Sequence, residues 1–237
     1  MTAQVEARPY AWPMDGAFNP RTTALVIIDM QKDFCSPGGY LSSQGYSLAP
    51  ILSLIPRLTH LLATFRTHSF PIYHTREGHR PDLSTLSPRE ASRSKLTSGL
   101  GIGDPGPLGR LLIRGEVGHD IIPELYPLPS EPIVDKPGRS AFAHTDFELM
   151  LRIKGIKNLV VCGVTTDVCV GSTVREGNDR GFDCVVVGDA CAASEGFLHD
   201  AALESVVAEG GIFGAVATME SILKALGEEM PEHLKEK

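Results

Sequence analysis

The sequence contains no apolar run long enough to cross a bilayer, and its N-terminal residues lack the apolar core of a signal peptide. It also contains no stripe of lysine and arginine, and its formal net charge is −7 with a pI near 5.6. These absences argue against a membrane protein and against nucleic acid as a partner.

Cysteines are few, and they follow neither a disulfide pattern nor a metal-binding pattern. There are five, an odd number, which suits the reducing conditions of the cytoplasm. Cys162, Cys184 and Cys191 lie in or beside apolar segments and are predicted to serve packing. The same role is favoured for Cys35, although it could line a site.

No linker or low-complexity segment divides the chain. Its 237 residues are 42% hydrophobic and 22% charged, which is enough apolar material for one sizeable core. We predict an extended arm at residues 1–20, one domain at residues 21–226 and a charged, frayed tail at residues 227–237. The aromatic residues of the arm either pack on their own domain or cross to a neighbouring subunit.

The stretch Leu159–Val187 reads as strand, turn, helix and strand. A short apolar run at its start and another at its end suit buried parallel strands, and the segment between them has helical spacing. Cys169 therefore lies where a strand ends and a helix begins, at the carboxyl edge of a sheet. Open α/β sheets bind their ligands at this edge.

Cys169 has two interpretations. A buried structural thiol is the commoner fate of a cysteine. The alternative is a nucleophile, because the helix N-terminus favours a thiolate. Thr165, Thr166 and Asp167 supply short polar groups and N–H donors of the kind that an oxyanion site needs. A nucleophile also needs a base from elsewhere in the chain.

Two further charged residues follow predicted strands. Asp29 comes directly after the apolar run Ala24–Ile28, where a carboxylate is costly unless it is paired or functional. A turn-capping role is the alternative. Lys136 follows a third short strand, where a lone lysine is more often a surface charge. The second strand is predicted at Pro71–Thr75.

Predicted strands alternate with predicted helices along the whole chain, including helices at Leu48–His68 and Ala193–Glu209. This alternation indicates a mostly parallel sheet with helices on both faces. We therefore predict an α/β fold, a three-layer α/β/α sandwich. The long irregular segment at residues 80–117 is predicted to be a lid or a subunit contact.

Three separated motifs, ALVIIDMQKDF, IVDKPGRSAF and GVTTDVCVGSTVREGNDRGF, resemble those of the isochorismatase-like cysteine hydrolases. The resemblance covers roughly residues 20–226. Within the superfamily, the segments YAWPMDGAF, HTREGHRPDL, GIGDPGPLGR, GHDIIPELYP and EGGIFG are most similar to biuret hydrolases. The resemblance implies the family's three-layer fold and a cysteine-dependent amidohydrolase that needs no cofactor.

The resemblance also implies a catalytic triad of Asp29, Lys136 and Cys169. In this interpretation the acid takes the thiol proton, the lysine stabilises the ionised pair, and the thiol attacks an amide carbonyl. The family carries a cis peptide that corresponds to Val164–Thr165, and the N–H groups of Thr165 and Cys169 would form the oxyanion site. Isochorismatases proper lack the nucleophilic cysteine, so the resemblance places this chain with the amidases.

Phe34, Thr165, Glu209 and Phe213 are the pocket walls implied by the resemblance. Biuret hydrolases have glutamine at the position of Glu209. An ionised glutamate accepts hydrogen bonds only, so it suits the N–H edge of a neutral linear ureide such as biuret or triuret, and it repels anions. Ureidoacrylate and N-carbamoyl amides are the alternative substrates. Glu209 could instead be a surface residue at a helix end.

Two other classes of function stay open at this point. The domain could be a non-catalytic interaction module, although the intact triad argues against it. A redox role for Cys169 is disfavoured because no resolving cysteine is adjacent. His74 and His79 show no complete metal-ligand spacing, so no metal is predicted. The small-molecule ureide is the expected partner, and the family's oligomers suggest a homotetramer.

Overall fold

The computed structural model describes residues 4–235 and is organised around one central sheet. Eight strands are present in this part of the chain, of which two short ones form a separate antiparallel hairpin. They are Thr23–Ile28 (β1), Ile72–Glu77 (β2), Pro105–Gly106 (β3), Gly109–Arg110 (β4), Ile133–Lys136 (β5), Asn158–Val164 (β6), Asp183–Ala192 (β7) and Ala215–Ala217 (β8). The sheet order is β5-β2-β1-β6-β7-β8, and every pair is parallel. The predicted α/β fold is confirmed.

The helices form the layers outside the sheet. They are Lys32–Cys35 (α1), Tyr40–Ser43 (α2), Ala49–Leu52 (α3), Ile55–Thr67 (α4), Pro88–Arg93 (α5), Phe147–Ile153 (α6), Gly171–Asp179 (α7), Gly196–Gly211 (α8), Met219–Ala225 (α9) and Glu232–Lys235 (α10). Helix α4 joins β1 to β2 and packs against α9. The crossovers through α6, α7 and α8 run the other way across the sheet, which places them on the opposite face.

The chain reverses direction across the sheet between β1 and β6. From β1 it moves outward to β2, and from β6 it moves outward through β7 to β8. This reversal opens a crevice beyond the carboxyl ends of the two strands, where ligands bind in doubly wound folds. The crevice is also bordered by the ends of β2 and β5. These two strands pair with each other, and Glu77 on β2 lies opposite Lys136 on β5.

The described part of the N-terminal arm packs on its own domain. Trp12 is fully buried, and the Phe18 ring lies 5.0 Å from that of Phe70. Arg8 exchanges backbone hydrogen bonds with Val216 on the edge strand β8. Of the two interpretations of the arm, packing on its own domain accounts for these contacts. The predicted tetramer stays a prediction because the structure concerns a single chain.

Two predictions about local structure are wrong. The helix expected over Leu48–His68 is interrupted by a turn at residues 53–54 and becomes α3 and α4. The tail does not fray over residues 227–235: Leu234 is buried, and Arg57 donates a hydrogen bond to its carbonyl at 3.1 Å. Residues 236–237 lie outside the described part of the chain. None of the helices within residues 4–235 is both long and apolar enough to cross a membrane.

His74 on β2 gives the fold an acid-sensitive element. Its ring is buried and contacts Glu131 at 3.2 Å. Burial lowers the pKa of His74 from 6.5 to about 4, although Glu131 acts in the opposite direction. Between these two pH values the unfolded chain binds more protons than the folded one, so acidification destabilises the fold.

We therefore expect His74 to remove on the order of 3 kcal/mol of stability as the pH falls from 6.5 to 4. Urea unfolding at several pH values measures this slope. The variant His74→Gln retains a polar side chain that does not titrate, and it should show a flatter profile. An identical slope in the variant and the wild type would contradict this assignment.

Candidate active site

Asp29, Lys136 and Cys169 meet at the crevice between the strand ends. Asp29 follows β1, Lys136 ends β5, and Cys169 lies in a single π-helical turn, Thr166–Val170, directly after β6. The three side chains are buried. The predicted triad residues are therefore brought together by three strands that are distant in sequence.

Lys136 and Asp29 form a buried ion pair with an N–O distance of 2.7 Å. Thr75 donates a second hydrogen bond to the Asp29 carboxylate at 2.6 Å, and the Lys136 ammonium also donates to the carbonyl of Gly138 at 2.9 Å. Burial raises the pKa of Asp29, and Lys136 opposes this shift. Burial would lower the pKa of Lys136, but Asp29 and Cys169 outweigh it and raise the pKa above its usual range. The lysine therefore stays charged, whereas the acid readily accepts a proton.

The close packing of β6 against β1 positions the turn that carries Cys169. Gly163 has a φ of +109°, and a Cβ at this position would lie 2.2 Å from the carbonyl oxygen of Ile28. Only glycine fits this approach. The peptide bond between Val164 and Thr165 is cis, as expected from the resemblance.

The Cys169 thiol is protonated in this arrangement. Burial raises the pKa of the thiol well above its usual value; Lys136 opposes the shift, and Asp29 and Glu77 add to it. The thiol donates a hydrogen bond to the Oε2 atom of Glu77 at 3.1 Å. A nucleophilic thiolate would thus form only when a proton moves to one of these acids.

Glu77 is a buried acid of the site that was not predicted from the sequence. The predicted second strand ends at Thr75, but β2 continues to Glu77. The Glu77 carboxylate lies 3.5 Å from the Lys136 ammonium and 3.3 Å from the guanidinium of Arg139. Arg139 in turn contacts Glu90 on α5 at 2.5 Å. No spacing in the local sequence marks Glu77, and only its register opposite Lys136 reveals it.

Glu77 is held in its ionised form by the cations around it. Burial acts to raise its pKa, but Lys136 and Arg139 outweigh that effect and lower it. The cluster therefore contains two buried acids with opposite shifts, since the pKa of Asp29 is raised. Neighbouring acids whose pKa values are pushed apart take different roles in catalysis.

The four residues predicted to form the pocket walls lie in different surroundings and differ in how far they are buried. Phe34 is buried, with its ring edge-on to Tyr40 at 6.3 Å. Phe213 is half-buried, and the guanidinium of Arg175 lies 4.9 Å from its ring centre. Thr165 directly precedes the π-helical turn that carries Cys169.

Glu209 does not join the cluster around Cys169. It lies in a break within α8, with a φ of +51°, and its side chain is exposed. Within residues 4–235 its carboxylate has no hydrogen-bond or ion-pair partner. The backbone leaves helical φ and ψ values at Ala208, directly before Glu209. An exposed side chain is compatible with both the surface alternative and a pocket wall, so the pocket-wall role of Glu209 stays a prediction.

The two histidines considered as metal ligands have other partners. His74 contacts Glu131, and His79 contacts the carbonyl oxygen of Thr85 at 3.0 Å. A different set of three residues has a spacing that suits a cation. One carboxylate oxygen each of Asp29 and Glu77 and the sulfur of Cys169 lie within 4.8 Å of one another. The Lys136 ammonium already lies against both acids and supplies a positive charge there.

The sequence matches the Isochorismatase domain family over residues 23–221. It is 31% identical over 216 residues to the ureidoacrylate amidohydrolase RutB of Methylobacterium radiotolerans, a match that covers 90% of this chain and 84% of that protein. It is 32% identical over 231 residues to the enzyme of the same name from Cronobacter sakazakii, covering 96% and 97%.

Solved structures share the fold of this chain. The crystal structure of a cysteine hydrolase from Pseudomonas syringae pv. phaseolicola is similar with a TM-score of 0.72 and 27% identity, covering 94% of this chain and 97% of that one. The N-carbamoylsarcosine amidase from Thermoplasma acidophilum shares the fold, with a TM-score of 0.64, 23% identity and coverage of 84% and 97%.

Proposed function

This chain belongs to the isochorismatase-like cysteine hydrolase family and is an amide-cleaving hydrolase, and from that premise we propose that it hydrolyses a small linear ureide. The observation that carries the proposal is the buried cluster in which Cys169 lies beside two acids and the Lys136 ammonium. Cys169 is the nucleophile, Asp29 transfers protons, and Lys136 stabilises the charges.

The first half of the reaction forms an acyl-enzyme. The thiol proton moves to the Asp29 carboxylate, whose raised pKa favours its uptake. The sulfur of Cys169 attacks the carbonyl carbon, and a C–S bond forms while the carbonyl oxygen takes up the electron pair. The C–N bond then breaks, and the proton on Asp29 passes to the departing nitrogen. Ammonia leaves, and the substrate remains as a thioester on Cys169.

The second half of the reaction releases the acid. Water attacks the thioester carbon and gives its proton to Asp29, and the C–S bond breaks as the C–O bond forms. The proton then returns from Asp29 to the sulfur of Cys169. One water is consumed, one ammonia is released, and the side chains end in their starting states. Throughout, Lys136 compensates the negative charge that appears on sulfur or on the acid.

Charge supports a neutral ureide, such as biuret or triuret, as the substrate. The two cations nearest Cys169, Lys136 and Arg139, each already contact two of the carboxylates of Asp29, Glu77 and Glu90. A substrate carboxylate would meet repulsion and would find both cations engaged. The N–H groups of a neutral ureide would instead find acceptors.

Ureidoacrylate is the second candidate substrate. It is supported by the names of relatives such as those from Methylobacterium radiotolerans and Cronobacter sakazakii, which are 31% and 32% identical to this chain. Ureidoacrylate carries the same terminal ureido group as the neutral ureides but adds a carboxylate. The two candidates therefore differ in charge rather than in the bond that is broken.

A panel of ureides separates the candidates. Ammonia release is measured with biuret, triuret, ureidoacrylate, N-carbamoylsarcosine and nicotinamide. We expect kcat/KM to be highest for a neutral ureide. Turnover of ureidoacrylate alone would retain the mechanism and overturn the neutral substrate. If no compound is consumed, the non-catalytic interaction module becomes the better interpretation, and a disulfide at Cys169 would indicate the redox role.

A further inference from the structure

We propose that Glu77 determines specificity: its Oε2 atom accepts a hydrogen bond from the N–H group of a neutral ureide beside Cys169 and repels substrates that carry a carboxylate. This inference rests on the proposed function, because it names the residue that selects among ureides. Glu77 has no role in the three-residue mechanism above.

The position of Glu77 is set by the sheet. It is the last residue of β2 and pairs with Lys136 on β5. Its Oε2 atom lies 3.1 Å from the sulfur of Cys169 and 3.5 Å from the Lys136 ammonium. Because β2 and β5 are adjacent strands of one sheet, this carboxylate is presented to the sulfur by rigid structure rather than by a loop.

The other oxygen of Glu77 is occupied. Its Oε1 atom lies 3.3 Å from Arg139, and Arg139 contacts Glu90 at 2.5 Å. The other oxygen of the Glu90 carboxylate contacts the guanidinium of Arg93, which lies on the same helix α5. The carboxylate of Glu77 is thus held in one orientation, with Oε2 facing the reacting sulfur.

A substrate must replace the hydrogen bond that the thiol gives to Glu77. During attack the carbonyl carbon approaches the sulfur, and the amide nitrogen is only one bond further away. With Oε2 at 3.1 Å from the sulfur, that nitrogen comes within reach of the carboxylate. A buried carboxylate left without a donor is costly, so a substrate with N–H groups here is favoured over one without them.

Glu77 differs from Asp29 in its affinity for protons. Lys136 and Arg139 lower the pKa of Glu77 against the effect of burial, whereas burial raises the pKa of Asp29. Asp29 is therefore suited to carry the proton of the reaction. Glu77 stays ionised and remains an acceptor for the substrate N–H.

Alkylation of Cys169 tests charge selection without assuming a substrate. Iodoacetamide and iodoacetate have nearly the same shape, but the second is an anion. The rates at Cys169 are followed by peptide mass spectrometry, with free cysteine in the same buffer as reference. Relative to free cysteine, we expect the wild type to prefer iodoacetamide by about tenfold or more, and Glu77→Gln to lose most of this preference. The exposed Glu229 supplies the matched control variant, Glu229→Gln, which should behave as the wild type.

Turnover supplies the second measurement. With biuret as substrate, Glu77→Gln should lower kcat/KM by about a hundredfold, and its loss with ureidoacrylate should be smaller. Glu77→Asp retains the charge but withdraws it by one methylene. It should retain the alkylation preference and lower kcat/KM for biuret, which keeps the test available if Glu77→Gln does not fold. An unchanged kcat/KM for biuret in Glu77→Asp would overturn the proposal.

The results separate this proposal from the proposed function. If the wild type consumes ureides but Glu77→Gln retains the full alkylation preference, the specificity role is overturned and the hydrolase stands. If no ureide is consumed but the preference falls in Glu77→Gln alone, charge selection by Glu77 is supported and the ureide substrate is wrong. An equal fall in Glu229→Gln would overturn the role of Glu77.

Discussion

Replacement of Cys169 by serine is expected to lower ammonia release by at least about a thousandfold. The hydroxyl is a far weaker nucleophile than the thiol, and the neighbouring acid cannot ionise it as readily. The fold should be retained, because the hydroxyl has nearly the same shape and can still donate to Glu77. Initial rates at saturating substrate, together with a thermal unfolding curve, measure both effects.

Cys35→Ser is the matched control for this prediction. Cys35 is also buried, but it is not one of the three residues, Asp29, Glu77 and Cys169, whose ligand atoms lie within 4.8 Å of one another. We expect this variant to retain activity within a few-fold of the wild type. Activity lost in Cys35→Ser but retained in Cys169→Ser would show that the nucleophile has been assigned to the wrong thiol.

Replacement of Lys136 by methionine is expected to remove both activity and much of the stability. The substitution leaves Asp29 without its ion-pair partner in a site that excludes solvent. Breaking a buried pair by removing one partner costs about 3–5 kcal/mol. Asp29 would respond by staying protonated, so it could no longer take the thiol proton. Urea unfolding and ammonia release measure the two losses.

The double variant Asp29→Asn with Lys136→Met separates these two effects. It removes both charges of the pair, so it should recover part of the stability that Lys136→Met loses. It should not recover activity, because the asparagine at position 29 cannot accept the thiol proton. Recovered activity in the double variant would contradict the role given to Asp29.

The apolar segments predicted that Asp29, Lys136 and Cys169 lie at strand ends, whereas their assignment as a triad came from the resemblance. Asp29 ends the run Ala24–Ile28, and Lys136 and Cys169 also lie at strand ends, so the parallel sheet gathers them at one edge. Glu77 could not be found in this way. Its strand, Ile72–Glu77, ends in a polar stretch, and no apolar run marks where it stops.

The contacts that fix the remaining parts of the site join residues that are far apart in sequence. Arg139 reaches Glu90 across 49 positions, and Cys169 reaches Glu77 across 92. Spacing and periodicity report local geometry only, so they do not indicate these pairs. The break in α8 at residues 208–210 is likewise set by φ and ψ values that the spacing of its residues does not indicate.

The most direct test of the central claim is the mass of the intact protein, quenched with acid during turnover of biuret. We predict a population heavier by the mass of the substrate minus ammonia, with the addition on the peptide that contains Cys169 and absent from Cys169→Ser. Ammonia release at a full rate with no such addition, in the wild type and in Cys169→Ser alike, would contradict an acyl-enzyme on Cys169.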